Sequence, residues 1–318
     1  MKAFITGGAG FIGSTIADRL LQLTENEVTV LDNFCSGQMS FIEHNLNNKR
    51  FKLMKGDLLD LPSLKEAIKG HDFVFHFAAN PDISKAMTET DLDLRLGILT
   101  TYNLLESMRI NGIQKIVYSS GSGVYGDIGL TQAPETFGPT LPTSMYGASK
   151  LGSEAIISAF CNMFDMQSWI FRFANVVGAR QTHGVGFDFI RKLKGNPKKL
   201  DILGDGKQSK SYVHVNDVID AILFTVKNCN EMLNIFNVAT DDSITVKEIA
   251  DIVVSEMNLK NVKYEFSGGR KGWKGDIPVV RFSLTKIHNL GWRSKLSSKE
   301  AVLKSIREML KKESKSVA

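Results

Sequence analysis

Tyr146 and Lys150 stand four residues apart in Tyr146-Gly-Ala-Ser-Lys150, a spacing that places both side chains on one face of a helix. An ammonium beside a phenol stabilises the phenolate and lowers its pKa toward neutrality, which makes a usable general base. Such a base removes a hydroxyl proton while a hydride leaves the carbinol carbon, and a nearby hydroxyl donor assists it. Ser120 and Ser122, in Tyr118-Ser-Ser-Gly-Ser-Gly-Val-Tyr-Gly126, supply hydroxyls of that kind. Both serines are equally suited to satisfying backbone groups at a strand end. A Tyr and a Lys at this spacing also occur on many helices where the Lys is solvated and the Tyr packs. The pair gains meaning from what precedes it.

A departing hydride needs an acceptor, and Thr6-Gly-Gly-Ala-Gly-Phe-Ile-Gly13 has the form of a dinucleotide-binding turn. It follows the apolar run Ala3-Phe4-Ile5 and precedes an amphipathic stretch over 12–23, with Ile16, Leu20 and Leu23 on one face. Strand, tight turn and helix bring the backbone N–H groups of Gly7, Gly10, Phe11, Ile12 and Gly13 to a pyrophosphate at the positive end of a helix. A second strand, Val28-Thr-Val-Leu-Asp32, ends in an acid at the distance a ribose-binding carboxylate needs. Asp32 would accept from the ribose 2′-OH and repel a 2′-phosphate. Asn33 follows it with no Arg or Lys close behind, so NAD is favoured over NADP. Residues 33–37 read as a loop over the adenosine. Asp57, in Gly56-Asp-Leu58, either bonds the adenine amino group or caps the next helix. Phe77, Ala78 and Ala79, at the end of the apolar run Asp72-Phe-Val-Phe-His-Phe77, allow close approach to the cofactor.

These groups have to be held by an alternation of strands and helices. Strands over 50–54, 72–77 and 115–119 alternate with helices over 64–69, 92–110 and 149–164. The pattern implies an α/β fold with a doubly wound parallel sheet and ligands at the carboxyl ends of its strands. Beyond Ala174 the elements shorten, and Gly, Asn, Pro and Lys cluster over 178–206. The expected organisation is a cofactor domain over 1–174, with 213–239 returning to it. A smaller mixed α/β substrate region comprises 175–212 and 240–318.

Composition narrows the function classes. A hydrophobic content of 43% over 318 residues supports a large core, and a net charge of +5 without a basic stripe among aromatics excludes a nucleic-acid partner. No apolar run approaches membrane-spanning length, and the chain opens directly on a strand, so neither a membrane nor a signal peptide is expected. Cys35, Cys161 and Cys229 are odd in number and far apart, which fits reduced thiols in cytoplasm. The six histidines lack metal-ligand spacing, and no metal is assigned.

Taken together, the chain resembles the extended short-chain dehydrogenase/reductases and, among them, nucleotide-sugar epimerases of the UDP-glucose 4-epimerase type. The resemblance runs in order through most of the chain. It is carried by residues 6–13, Leu31-Asp-Asn33, Gly56-Asp-Leu58, Phe75-His-Phe-Ala-Ala79, Val124-Tyr-Gly126, residues 146–150 and Arg172-Phe-Ala-Asn175. It continues through Gly204-Asp-Gly206, Ser211-Tyr-Val-His-Val215, Gly275-Asp276 and Leu290-Gly-Trp292. It implies a cytoplasmic isomerase in which Tyr146 takes the O4 proton of a UDP-hexose, C4 gives hydride to tightly held NAD, and the 4-keto sugar turns over before the hydride returns. It places Asn175, Lys210, Arg270, Asp276 and Val280 at the substrate, with Lys271 a further candidate at the diphosphate. It also implies a homodimer through a four-helix contact of 92–110 and 149–164, although core packing explains those apolar faces as well.

Three departures accompany the resemblance. The family's catalytic Ser or Thr falls on Gly121, so Ser120, Ser122 or a water must substitute. An Asn usual near the nicotinamide is Gly97, and an Arg at the pyrophosphate is Lys210, which loses bidentate geometry. Dehydratases and decarboxylases of the superfamily place an acid just before Val-Tyr-Gly, where this chain has Gly123. Simple epimerisation is therefore favoured over those two reactions, and intact Tyr146 and Lys150 favour it over an NAD(H)-binding sensor; chemistry on another nucleotide sugar such as UDP-glucuronate stays the alternative. Val280 stands where a Tyr would close the pocket to 2-acetamido sugars, so UDP-GlcNAc and UDP-GalNAc are expected beside UDP-Glc and UDP-Gal.

Overall fold

Short apolar runs punctuated by Gly, Asn and Asp fold into a seven-stranded sheet. The computed structural model describes residues 1–23, 25–272, 275 and 277–316. Across the sheet the strands run Leu233–Val238, Gln167–Phe173, Lys115–Gly121, Phe73–His76, Lys2–Thr6, Glu27–Asp32 and Phe51–Lys55. Every pairing with a described register in this sheet is parallel. Phe73–His76 is buried along its whole length, which is why its sequence reads as a continuous apolar run. Chain order reverses at Lys2–Thr6, flanked by Glu27–Asp32 on one side and Phe73–His76 on the other. Ligands of open α/β sheets bind outside the carboxyl ends of the strands at such a reversal.

The chain divides into two compact units. The first comprises Met1–Val124, Ser144–Arg172 and Ile219–Phe236. Its core joins Phe4 and Val74 of the sheet to Leu104, Leu105 and Met108 of one helix and Ile157 of another. The second comprises Tyr125–Thr143, Phe173–Val218 and Asn237–Ala318. It pairs Asn175–Val177 with Tyr212–His214, and Lys199–Ile202 with Lys263–Phe266. Its own core is built from Phe189, Ile190, Leu200, Ile249, Val253, Val302 and Ile306. Among the described residues no helix is long and apolar enough to cross a membrane.

Two helices differ from expectation. Residues 92–110 do not form one α-helix: a π-helical turn, Leu94–Leu99, precedes the α-helix Thr100–Ile110. The Thr100 hydroxyl donates to the Leu96 carbonyl at 2.8 Å and the Thr101 hydroxyl to the Gly97 carbonyl at 2.7 Å. Side chains that bond these carbonyls compete with the backbone ladder and favour a locally widened turn. The later helix begins at Met145 rather than 149, because Ser144, in extended backbone, accepts from the Gly147 N–H and caps it.

Candidate active site

The glycine turn is shaped by close approach. Gly7 lies at φ +66°, and a Cβ on it would stand 2.6 Å from the Ala78 nitrogen. A Cβ on Gly13 would strike the Gly7 carbonyl oxygen. Helix Phe11–Gln22 starts from Gly10 with no side-chain cap and no acid in its first turn. Its leading N–H groups and positive dipole end therefore face outward from the sheet's ligand-binding end, as a pyrophosphate requires. Asp32 ends the neighbouring strand almost fully buried; its Oδ2 accepts from the Ala9 N–H at 2.9 Å and its Oδ1 from the Phe34 N–H at 2.8 Å. Burial pushes this carboxyl up, and the two backbone donors draw it back. Each oxygen keeps a lone pair for a ribose hydroxyl. The residues present fit NAD.

The adjacent loops close on one another. Asn33 Nδ2 donates to Asp57 Oδ2 at 3.1 Å, and Asp57 Oδ1 accepts from the Leu59 N–H. The next helix, Leu61–Ala67, is capped by Asp60 and not by Asp57. Leu58 is buried, and its carbonyl accepts from Asn103. Phe77 follows the strand, its N–H donating to the Thr6 carbonyl at 3.1 Å, and Ala78 and Ala79 are half-buried.

Tyr146 and Lys150 lie in the first two turns of helix Met145–Phe164. Lys150 is buried; its Nζ donates to the Ser119 carbonyl at 2.7 Å and sits 5.5 Å from the Tyr146 ring centre and 5.0 Å from that of Tyr118. The protonation pattern departs from the expected lowered phenol. Burial, then the Asp93 carboxylate, pushes Tyr146 up to about 12, while burial pulls Lys150 down to about 8 against Glu154 and Asp93. Desolvation disfavours both charged forms and outweighs the attraction between them. Under Lys150, His76 bonds Thr6 and Thr101 at 2.7 and 3.1 Å, and burial with the Lys150 charge pulls it down to about 3.

The two candidate hydroxyls differ. Ser120 is buried and donates to Glu154 Oε1 at 2.5 Å, and Glu154 in turn receives Arg172 Nη2 at 2.6 Å. Ser122 is half-buried in the turn Ser122–Tyr125, and its hydroxyl makes no hydrogen bond among the described residues. Gly121 ends the strand between them. Two glycines are held by close packing: a Cβ on Gly97 would lie 2.8 Å from the Ser149 Cβ, and one on Gly123 would lie 3.2 Å from the Gly147 Cα.

The first unit thus gathers the glycine turn, Asp32, Asn33, Asp57 and Ala78, and, on a further helix, Tyr146 and Lys150. The remaining candidates belong to the second unit. Asn175 opens a strand with its N–H on the Ser211 carbonyl at 3.2 Å, and Lys210 pairs with Ile244. Arg270 is exposed after two left-handed glycines, Lys271 lies 3.4 Å from Asp127, and Val280 is half-buried before strand Arg281–Phe282. Asp276 lies outside the described residues. Sequence reasoning missed Glu154, Asn80 and Asp93. Glu154 follows Lys150 by four residues and was readable by helical spacing, whereas nothing local marks the other two.

Residues 3–239 match the model of the NAD dependent epimerase/dehydratase family. A putative UDP-glucose 4-epimerase of Methanocaldococcus jannaschii is 33% identical over 313 residues, which are 96% of this chain and 97% of that one. A human dTDP-D-glucose 4,6-dehydratase is 27% identical, covering 96% of this chain and 89% of its own. The crystal structure of a UDP-galactose 4-epimerase superposes with a TM-score of 0.88 at 36% identity, covering 98% of this chain and 99% of that one.

Proposed function

This chain belongs to the NAD-dependent epimerase/dehydratase family, and from that premise we propose that it inverts C4 of a UDP-hexose through a transient 4-keto sugar. NAD, when bound, would supply the acceptor for the C4 hydride and the source of its return to the opposite face. The chain's part is to hold and to move protons. Gly7, Gly10, Phe11, Ile12 and Gly13 take the pyrophosphate, while Asp32, Asn33 and Asp57 take the adenosine. The Tyr146 phenolate, stabilised by the Lys150 ammonium, removes the proton from O4 to become a phenol, and the phenol later gives the proton back. Ser122 is the hydroxyl assigned to the sugar, since Ser120 is committed to Glu154. Asn175, Lys210, Arg270, Asp276 and Val280 are assigned to the nucleotide sugar.

The observation that carries epimerisation over water loss is Gly123. Its missing side chain leaves no proton donor where elimination would need one, and the Gly147 backbone stands too close to admit an acid without a shift. The absence of an aromatic ring at Val280 supports acceptance of 2-acetamido sugars. A cytoplasmic setting is supported by three cysteines that form no disulfide among the described residues, and a homodimer by the exposed apolar side chains on the two helices the family pairs. The test is a panel of UDP-Glc, UDP-Gal, UDP-GlcNAc, UDP-GalNAc, UDP-glucuronate and dTDP-glucose incubated with purified protein, with the products resolved and the bound cofactor identified. C4 epimers of the UDP-hexoses are expected, with no water lost. A 4-keto-6-deoxy product, or bound NAD with every sugar unchanged, would overturn the reading.

A further inference from the structure

Lys150 is enclosed by polar groups from several elements of the first unit. On its own helix Tyr146 and Glu154 stand one turn to either side. Strand Lys115–Gly121 contributes the Ser119 carbonyl and the Tyr118 ring, and Phe73–His76 contributes the neutral His76. Asp93 lies immediately ahead of the π-helical turn that packs on the Tyr146 helix; burial raises its carboxyl while Asn80 and the Lys150 charge draw it back, and as a carboxylate it bears on both Lys150 and Tyr146.

The two carboxylates are not equivalent. Glu154 is already neutralised, its oxygens taking Arg172 Nε and Nη2 and the Ser120 hydroxyl. Asp93 is 1% exposed. Asn80 Nδ2 donates to its Oδ1 at 3.0 Å, and its Oδ2 is buried with no hydrogen-bond partner among the described residues. A buried, unpaired carboxylate oxygen is costly to fold around, and such exceptions concentrate where a charge has work to do. We propose that Asp93 is the buried counter-charge of the Tyr146–Lys150 pair, a positioning residue anchored by Asn80 that keeps the Lys150 side chain an ammonium. This rests on Tyr146 acting as the base, because only an ammonium can stabilise the phenolate. Burial alone would discharge Lys150; Glu154, shared with Arg172, opposes that first, and Asp93 adds to it as a carboxylate with no cation of its own to neutralise among the described residues.

Asp93→Asn keeps the shape and the bond from Asn80 while removing the charge. In the NAD-loaded protein, carbon-13 NMR of the Lys150 side chain, assigned through Lys150→Met, is expected to titrate about one pH unit lower than in the parent. The pH at which kcat with the accepted UDP-hexose levels off should move down with it, whereas a purely structural Asp93 would lower kcat and leave that pH in place. Asp93→Ala should give the same shift. A folded neutral variant with Lys150 titrating as in the parent would overturn the proposal. So would a carbon-13 carboxyl signal showing Asp93 protonated at neutral pH in the parent, a measurement that needs no variant to fold. A parent that turns over no nucleotide sugar would instead overturn the epimerase reading, with the NMR titration still deciding the role of Asp93.

Discussion

At neutral pH the pair is a phenol beside an ammonium, since Tyr146 is pushed up to about 12 and Lys150 down only to about 8. The base therefore forms when the phenol loses its own proton to solvent, with the ammonium beside the ring offsetting the new charge, and the phenolate then takes the O4 proton. The phenolate beside an ammonium carries as many protons as the phenol beside a neutral amine that the pair becomes above about 8, so kcat should rise toward that pH and level off above it. A kcat that shows no change of slope through that pH would refute the role given to Lys150. The serines separate on the same physical ground. Ser122→Ala should slow turnover by about 10²-fold, as loss of a donor to a reacting oxygen does, with little change in melting temperature. Ser120→Ala removes a donor from a buried ion pair and should cost about 1–2 kcal/mol of stability while retaining most turnover. Denaturant unfolding and steady-state kinetics on both variants decide it, and equal kinetic loss would return Ser120 to the chemistry. The Tyr and Lys were legible because their spacing is local. The difference between the serines was not, because it depends on Glu154 and Arg172, whose partnership exists only once helix Met145–Phe164 lies against strand Gln167–Phe173.

Elements were read best where periodicity is long and worst where side chains interfere with the backbone. Alternating strands and helices were enough to imply the doubly wound parallel sheet. The π-helical turn Leu94–Leu99 was hidden, since six residues cannot distinguish its period from that of an α-helix once two threonine hydroxyls take carbonyls from the ladder. Gly97 inside that turn takes on a packing meaning the sequence did not reveal. Its missing Cβ is the space that Ser149 occupies. Gly97→Ala should destabilise the protein by about 1–3 kcal/mol through overpacking, and Ser149→Gly should cost about 1 kcal/mol as a helical glycine. Combined, they should cost less than their sum, because the second substitution vacates what the first needs. Additive losses in a double-mutant cycle would show that the two positions do not compete.

For the molecule as a whole, the surface of the first unit poses a question that its core does not answer. The apolar faces expected on the two long helices have two explanations, internal packing and a partner. Internal packing accounts for Leu104, Leu105, Met108, Ile157 and Cys161, which lie in the core. It leaves Leu99 and Tyr102 42% exposed and Met163 71% exposed, with Tyr102, Phe160 and Phe164 forming a run of ring contacts at the surface. Sequence periodicity could not divide the two sets, since both occupy helical faces and only the packed structure shows which face is already covered. Apolar side chains gathered on adjacent helices are poorly explained in a monomer, and a two-fold axis lets one such patch cover its own copy. A dimer is therefore expected in sedimentation at micromolar protein. Tyr102→Glu would place two carboxylates at that contact without touching the glycine turn, Asp32 or the Tyr146–Lys150 pair. It should give a folded monomer that retains NAD, read from sedimentation, circular dichroism and bound cofactor together. A parent that sediments as a monomer would remove the dimer, and a variant that remains dimeric would move the contact away from these helices.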